Sequence, residues 1–196
     1  MLTPENSVLW ALVDPVPDAA RSERAMTDPL LARLSTLPIP RLARFQRELL
    51  DCLEGLLSWR LWEAADVIHQ LPCSGDTFAD FRSWVVAQGS EVYRQVLRDP
   101  DSLAEVPEIA RIIRLPLPWA DADYPHFGSL GGLAGDAFDE ILAKLGPAVA
   151  ASVERPAVLD EQIPAYLTEP FPEDYGADAA VRLRLPKLSA LRGWTL

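Results

Sequence analysis

A chain of 196 residues, 49% hydrophobic and 24% charged, has the proportions of a globular protein with its own core, which excludes collagen-like, coiled-coil and wholly disordered readings. A formal net charge of -11 argues against nucleic acid or an anionic membrane surface as partner, since both need a basic face. It favours a basic protein partner instead. With 2 histidines a histidine-rich metal site is excluded, and no cofactor is expected.

The charge is uneven along the chain. Residues 1–98 hold 10 basic and 13 acidic side chains, residues 99–180 hold 4 and 16, and residues 181–196 hold 4 and none. Cys52 and Cys73 are not in a CxxC spacing, so neither a disulfide framework nor a zinc ribbon is predicted. Met1 is followed by Thr3, Pro4 and Glu5 with no apolar run of leader length, and no segment approaches the ~18 apolar residues of a membrane span. These features predict a cytoplasmic protein.

Thr3-Pro4-Glu5 predicts a helix start, with Val8, Leu9, Leu12 and Val13 on one face until Pro15. A second helix is predicted over Ser22 to Leu37, kinked or split at Asp28-Pro29. Leu42, Phe45, Leu49, Cys52, Leu53 and Leu56 recur at helical spacing, which predicts a core helix over Leu42 to Leu57. Another helix follows from Leu61 to Leu71, ended by Pro72. Ser74 then caps a helix that runs to Gln88, where Gly89 terminates it, and Ser90 caps one more before Asp99-Pro100.

Beyond residue 100 the texture changes, because 11 of the 18 prolines lie from Pro100 onward. Loops are predicted there with one helix, from about Ala137 to Leu145. Leu115-Pro116-Leu117-Pro118-Trp119 reads as extended, since proline disfavours helix at the residue before it. Gly128 to Gly135 reads as a flexible loop or mobile lid, without the Lys-Ser/Thr ending of a phosphate loop. Val181-Arg182-Leu183-Arg184-Leu185 alternates apolar and basic, which predicts an edge strand or extended arm over the acidic segment. The expected fold class is mainly α: a compact, irregular multi-helix domain with a Pro-rich, loop-rich C-terminal extension. One domain is expected over 1–196, with a helical part over 1–105 and an acidic extension over 106–196 packing on it.

Trp59-Arg60-Leu61-Trp62-Glu63-Ala64-Ala65, then Cys73-Ser74-Gly75-Asp76-Thr77-Phe78-Ala79-Asp80-Phe81-Arg82-Ser83-Trp84, then Gln88-Gly89, Val92-Tyr93 and Asp99-Pro100-Asp101-Ser102-Leu103-Ala104, form a string with a recognisable order. Together with Leu9-Trp10-Ala11-Leu12-Val13, it resembles the bacterial family DUF4240 over roughly residues 7–105. The resemblance implies a small, mostly helical cytoplasmic protein and brings no assigned activity. This chain departs from the family pattern at Gly75, where a second acidic residue is expected beside Asp76.

Asp76 and Asp80 share a helix face at i,i+4, which suits either a bound cation or simple service to the helix dipole and a neighbouring arginine. Trp59, Trp62 and Trp84, with Phe78 and Phe81, could wall a pocket floored by Glu63 and Asp80, with Arg82 neutralising the carboxylates; the plainer account is an aromatic core. Cys73 and His69 are formally a nucleophile and a base, though a small buried cysteine is the simpler reading. Two functions follow. The first is a cytoplasmic protein-binding or regulatory protein acting through its acidic C-terminal half. The second is a small enzyme or ligand-binding protein of a specialised biosynthetic pathway, using an aromatic-walled carboxylate pocket of Trp59, Trp62, Glu63, Asp76, Asp80, Arg82 and Trp84.

Overall fold

Serine side chains start the first helices. In the computed structural model, which describes residues 6–17, 21–120 and 123–194, Ser7 and Ser22 accept backbone N–H groups and open α1 (Val8–Val13) and α2 (Glu23–Leu34). The predicted start at Thr3-Pro4-Glu5 lies outside the described residues. α2 runs unbroken through Pro29 and buries Met26, Leu30 and Leu34, spaced i, i+4 and i+8. It stops at Leu34, three residues earlier than predicted.

α3 (Ile39–Gly55) is the core helix that its periodicity predicts, with Leu42, Phe45, Leu49, Cys52 and Leu53 buried. α1, α5 and α8 pack on it. Its Glu48 is 3% exposed and accepts from the Ser7 hydroxyl at 2.8 Å, the Leu9 N–H at 3.0 Å and Arg44 Nε at 2.7 Å. One carboxylate thereby fastens the first turn of α1 to the middle of α3.

Ser58 opens α4 (Trp59–His69), and Gln70, at φ 65°, ends it in the left-handed region. Ser74 opens α5 (Gly75–Ala87) by accepting from the Thr77 N–H at 3.1 Å, as predicted. α6 (Ser90–Arg98) corrects one expectation: Ser90 is the first helical residue and Gly89, at φ 101°, precedes the helix. The cap comes from elsewhere, because the Asp14 carboxylate accepts both the Ser90 N–H at 2.7 Å and its hydroxyl at 2.8 Å.

The chain beyond residue 100 is more helical than its prolines suggested, since several of them occupy first-turn positions where no N–H is needed. A 3-10 helix (Pro100–Glu105) leads into α7 (Pro107–Ile112). α8 begins at Leu133, earlier than predicted, and ends at Leu145, followed by the short α9 (Pro147–Ala150) and a 3-10 turn (Ala157–Asp160). The Gly128 to Gly135 stretch is no mobile lid: Leu130 is buried, and the Gly131 carbonyl accepts from Gln46 Nε2 at 3.1 Å. No strand occurs among the described residues.

The predicted strand or arm at Val181 to Leu185 is instead the last turn of the helix α10 (Asp178–Arg184), with Leu185 joining it to α11 (Pro186–Leu191). The same letters satisfy a helical period: Val181 and Leu185, four apart, are buried, while Leu183 is 75% exposed. This C-terminal pair joins the hydrophobic cluster that begins at Val8. Three polar contacts hold it there. Asp101 accepts the Lys187 and Leu188 N–H groups, both at 2.9 Å; Tyr175 donates to Asp66 at 2.7 Å; and Arg184 grips Glu63 with Nε at 2.7 Å and Nη2 at 2.6 Å. Glu63 is 2% exposed, so removing its cation strands a buried charge. Arg184→Ala is expected to lower the unfolding free energy by about 3 kcal/mol in urea titration, and a loss below about 1 kcal/mol would contradict the pairing.

Candidate functional site

The side chains that sequence placed around one pocket have separate surroundings. Trp62 stacks on Phe78 at 4.4 Å between ring centroids and meets the edge of Phe171 at 5.6 Å. Trp59 lies under the Arg184 guanidinium at 5.3 Å, and Glu63 also accepts the Gly176 N–H at 3.1 Å. The 171–184 segment therefore covers the Trp59, Trp62 and Glu63 face. Arg82 is fully buried and pairs with no carboxylate: it donates to the carbonyls of Leu53, at 2.7 Å, and Pro164, with Phe78 beneath it at 5.1 Å. Burial pushes its pKa down to about 10. It ties α5 to α3 and to the C-terminal half.

His69 and Cys73 are likewise structural. His69 Nδ1 bonds the Ala65 carbonyl at 2.8 Å, and burial lowers its pKa. Burial, together with Asp66 beside it, pushes the Cys73 thiol up, away from the thiolate that a nucleophile needs. Among the described residues no cluster of three or more His, Cys, Asp or Glu is placed to hold a metal.

Trp84 leads to a different place. It is 3% exposed, lies parallel to Phe81 at 5.8 Å, and lines a cleft of about 800 Å³. Five stretches build that cleft: the start of α2, the end of α5, one face of α6, the Glu105 to Glu108 junction and the Tyr124 to His126 loop. Val92 and Val106 supply apolar wall, Gln88 and Gln95 supply amides, and Arg24, Tyr124 and His126 supply polar tips. Trp59, Trp62, Glu63, Asp76, Asp80 and Arg82 are not among its lining residues.

Each wall is braced from behind. Arg21 donates to the carbonyls of Ala87 at 2.8 Å and Asp14 at 3.1 Å, which locks the start of α2 against the end of α5. Tyr124 packs on Trp119 at 5.2 Å and His69 at 6.4 Å. His126 Nε2 lies 3.2 Å from Glu23 Oε2, and the other oxygen of Glu23 accepts the Ser129 N–H at 2.8 Å. The imidazole is thus oriented by a carboxylate that is itself fixed, an arrangement familiar from acid–base sites.

Asp80 stands next to this group rather than in the cleft, close against Gly128, where a Cβ would come within 3.2 Å of Oδ1. Burial raises its pKa, His126 opposes that rise, and Glu23 and Asp76 add to it. Asp76 is exposed in the first turn of α5. Of the residues singled out from sequence, the cleft takes Trp84 alone. Tyr124, His126, Glu23 and Arg24 were missed, and the one signal pointing to them was the scarcity of histidine.

Residues 5–140 match the family described as "Protein of unknown function (DUF4240)". The match runs past Ala104, where the resemblance read from sequence had stopped, and takes in α7 and most of α8. No curated protein and no solved structure matches the chain.

Because Asp80 is an acid with a raised pKa, the folded state binds its proton more tightly than the unfolded chain does. Its contribution to stability therefore falls as pH rises through the window above the ordinary aspartate value of about 3.9. His126→Gln removes the opposing charge and is expected to move the Asp80 carboxyl titration, followed by carbon NMR, further upward. A downward shift would contradict the assignment.

Proposed function

The chain belongs to the DUF4240 family, and from that premise we propose that it is a small-molecule-binding protein whose site is the Trp84 cleft. One observation carries the reading: every residue lining the cleft, from Arg21 to His126, falls inside the family-matched span of 5–140. At about 800 Å³ the cleft has the size of sites that hold cofactor-sized molecules. Its lining is mixed: Trp84, Tyr124, Val92 and Val106 give an apolar surface, and the charged and amide side chains around them can orient a ligand. The carboxylate-oriented His126 at its edge equips it for proton transfer as well as binding. Cys52 and Cys73 are both unpaired, which supports a reducing, cytoplasmic setting; no described helix is long and apolar enough to cross a membrane.

A second reading, protein recognition through the acidic C-terminal half, draws on a different observation. Tyr166 is 71% exposed and Phe171 42% exposed, beside the exposed Glu169 and Glu173. Such a surface suits a basic protein partner. Against it, Glu161, Asp174 and Asp178 already face Arg47, Arg184 and Arg182 within the chain.

The two readings separate in protein-observed NMR with small polar aromatic fragments. The cleft reading expects shifts at Trp84, Val92 and His126 that Gln95→Trp abolishes by filling the cleft, with the melting temperature kept within about 4 °C. Shifts confined to residues 161–178 would favour the second reading, and shifts at neither place would contradict the cleft.

A further inference from the structure

Resting on the cleft reading above, we infer that the cleft takes a small organic anion carried on a planar, apolar body. The argument is one of charges already matched. Three carboxylates line the cleft, and each has its partner: Glu23 holds His126 and the Ser129 N–H, Glu105 pairs with Lys187 at 2.5 Å, and Glu108 pairs with Arg111 at 2.9 Å. A ligand cation would meet carboxylates that Lys187, Arg111 and His126 already engage, which weakens their pull on it. Arg24, on the same lining, makes no ion pair among the described residues. Its five N–H donors stand ready for a carboxylate or phosphate, which a guanidinium binds in a bidentate fork.

The chain's net charge of -11 does not overrule this local balance. At physiological salt fields are screened over about 8 Å, so groups at the ligand decide whether a singly charged small molecule binds. The same acidity does repel a polyanion, which has charges extending well beyond the cleft. The rest of the ligand meets Trp84, Tyr124, Val92 and Val106, a surface suited to a flat ring system.

The test uses three probes with one naphthalene body and different charge: 2-naphthoate, 2-naphthalenemethanol and 2-naphthylmethylammonium, titrated by calorimetry into the full chain. Naphthoate is expected to bind about tenfold tighter than the alcohol, the size of one charge-assisted contact, and the ammonium weakest. Arg24→Gln removes the preference for naphthoate over the alcohol, while Arg24→Lys retains part of it. Equal binding of all three probes, or a preference for the ammonium, overturns the anion assignment and leaves the cleft as a site. Naphthoate preference that survives Arg24→Gln also overturns it. Saturable binding of none of the three overturns the assignment together with the cleft reading on which it rests.

Discussion

A carboxylate removed from water needs N–H or guanidinium partners, and this fold is assembled around that requirement. The buried Glu48 takes the Leu9 N–H, Asp101 the Lys187 and Leu188 N–H groups and Glu63 the Gly176 N–H, while the half-buried Asp66 and Glu23 take the Cys73 and Ser129 N–H groups and the exposed Asp14 takes that of Ser90. The partners are remote in sequence, except for Asp66 and Cys73, and most are the free backbone groups at or just before a helix start. Local serines cap α1, α2, α4 and α5, whereas the short α6 and α11, marginal alone, are held at their starts by acids from other parts of the chain and so depend on the rest being in place. The irregular packing follows in part from this: remote acids, Asp14 and Asp101, hold the starts of α6 and α11.

That arrangement changes the meaning of an acidic composition. Part of what reads in sequence as a surface for cationic partners is an internal fastening system, and Arg184, Lys187 and Asp101 use it to hold the last helices on the family-matched portion. The cleft depends on the same system. Glu23 fixes His126 and the Ser129 loop on one wall, and Asp14 positions the α6 face on another. Lys187, on the C-terminal helix, reaches Glu105 on the rim, so the tail outside the family match trims the charge of a site inside it.

Much of the fold was legible because it is written locally. The Leu42 to Leu56 period gave α3, Ser74 gave the start of α5, and Gly89 gave its end. What was not legible depends on distant partners. Ser90 has the chemistry of a cap, yet Asp14 takes that role and Ser90 becomes the first residue of the helix. Val181 to Leu185 satisfies a period of two as well as a period of four, and only Asp101 holding the following backbone and a core waiting for Val181 and Leu185 select the helix. The site was least legible. The aromatic density at 59–84 is genuine, but Phe78 and Phe81 are core, Arg82 serves two carbonyls, and Glu63 is closed by an arginine 121 residues away. A cleft gathered from five stretches leaves no spacing motif in any of them.

Hydrogen exchange on the intact chain tests most directly whether carboxylate capping makes the C-terminal helices part of one cooperative structure. The amides of Gly176, Lys187 and Leu188 each bond a carboxylate of the family-matched part. They are expected to exchange with the same opening free energy as Leu49 and Leu53 in α3, and to lose that protection together in Asp101→Ala and Glu63→Ala. Rapid exchange at these three amides in the wild-type chain, with α3 still protected, would contradict the account.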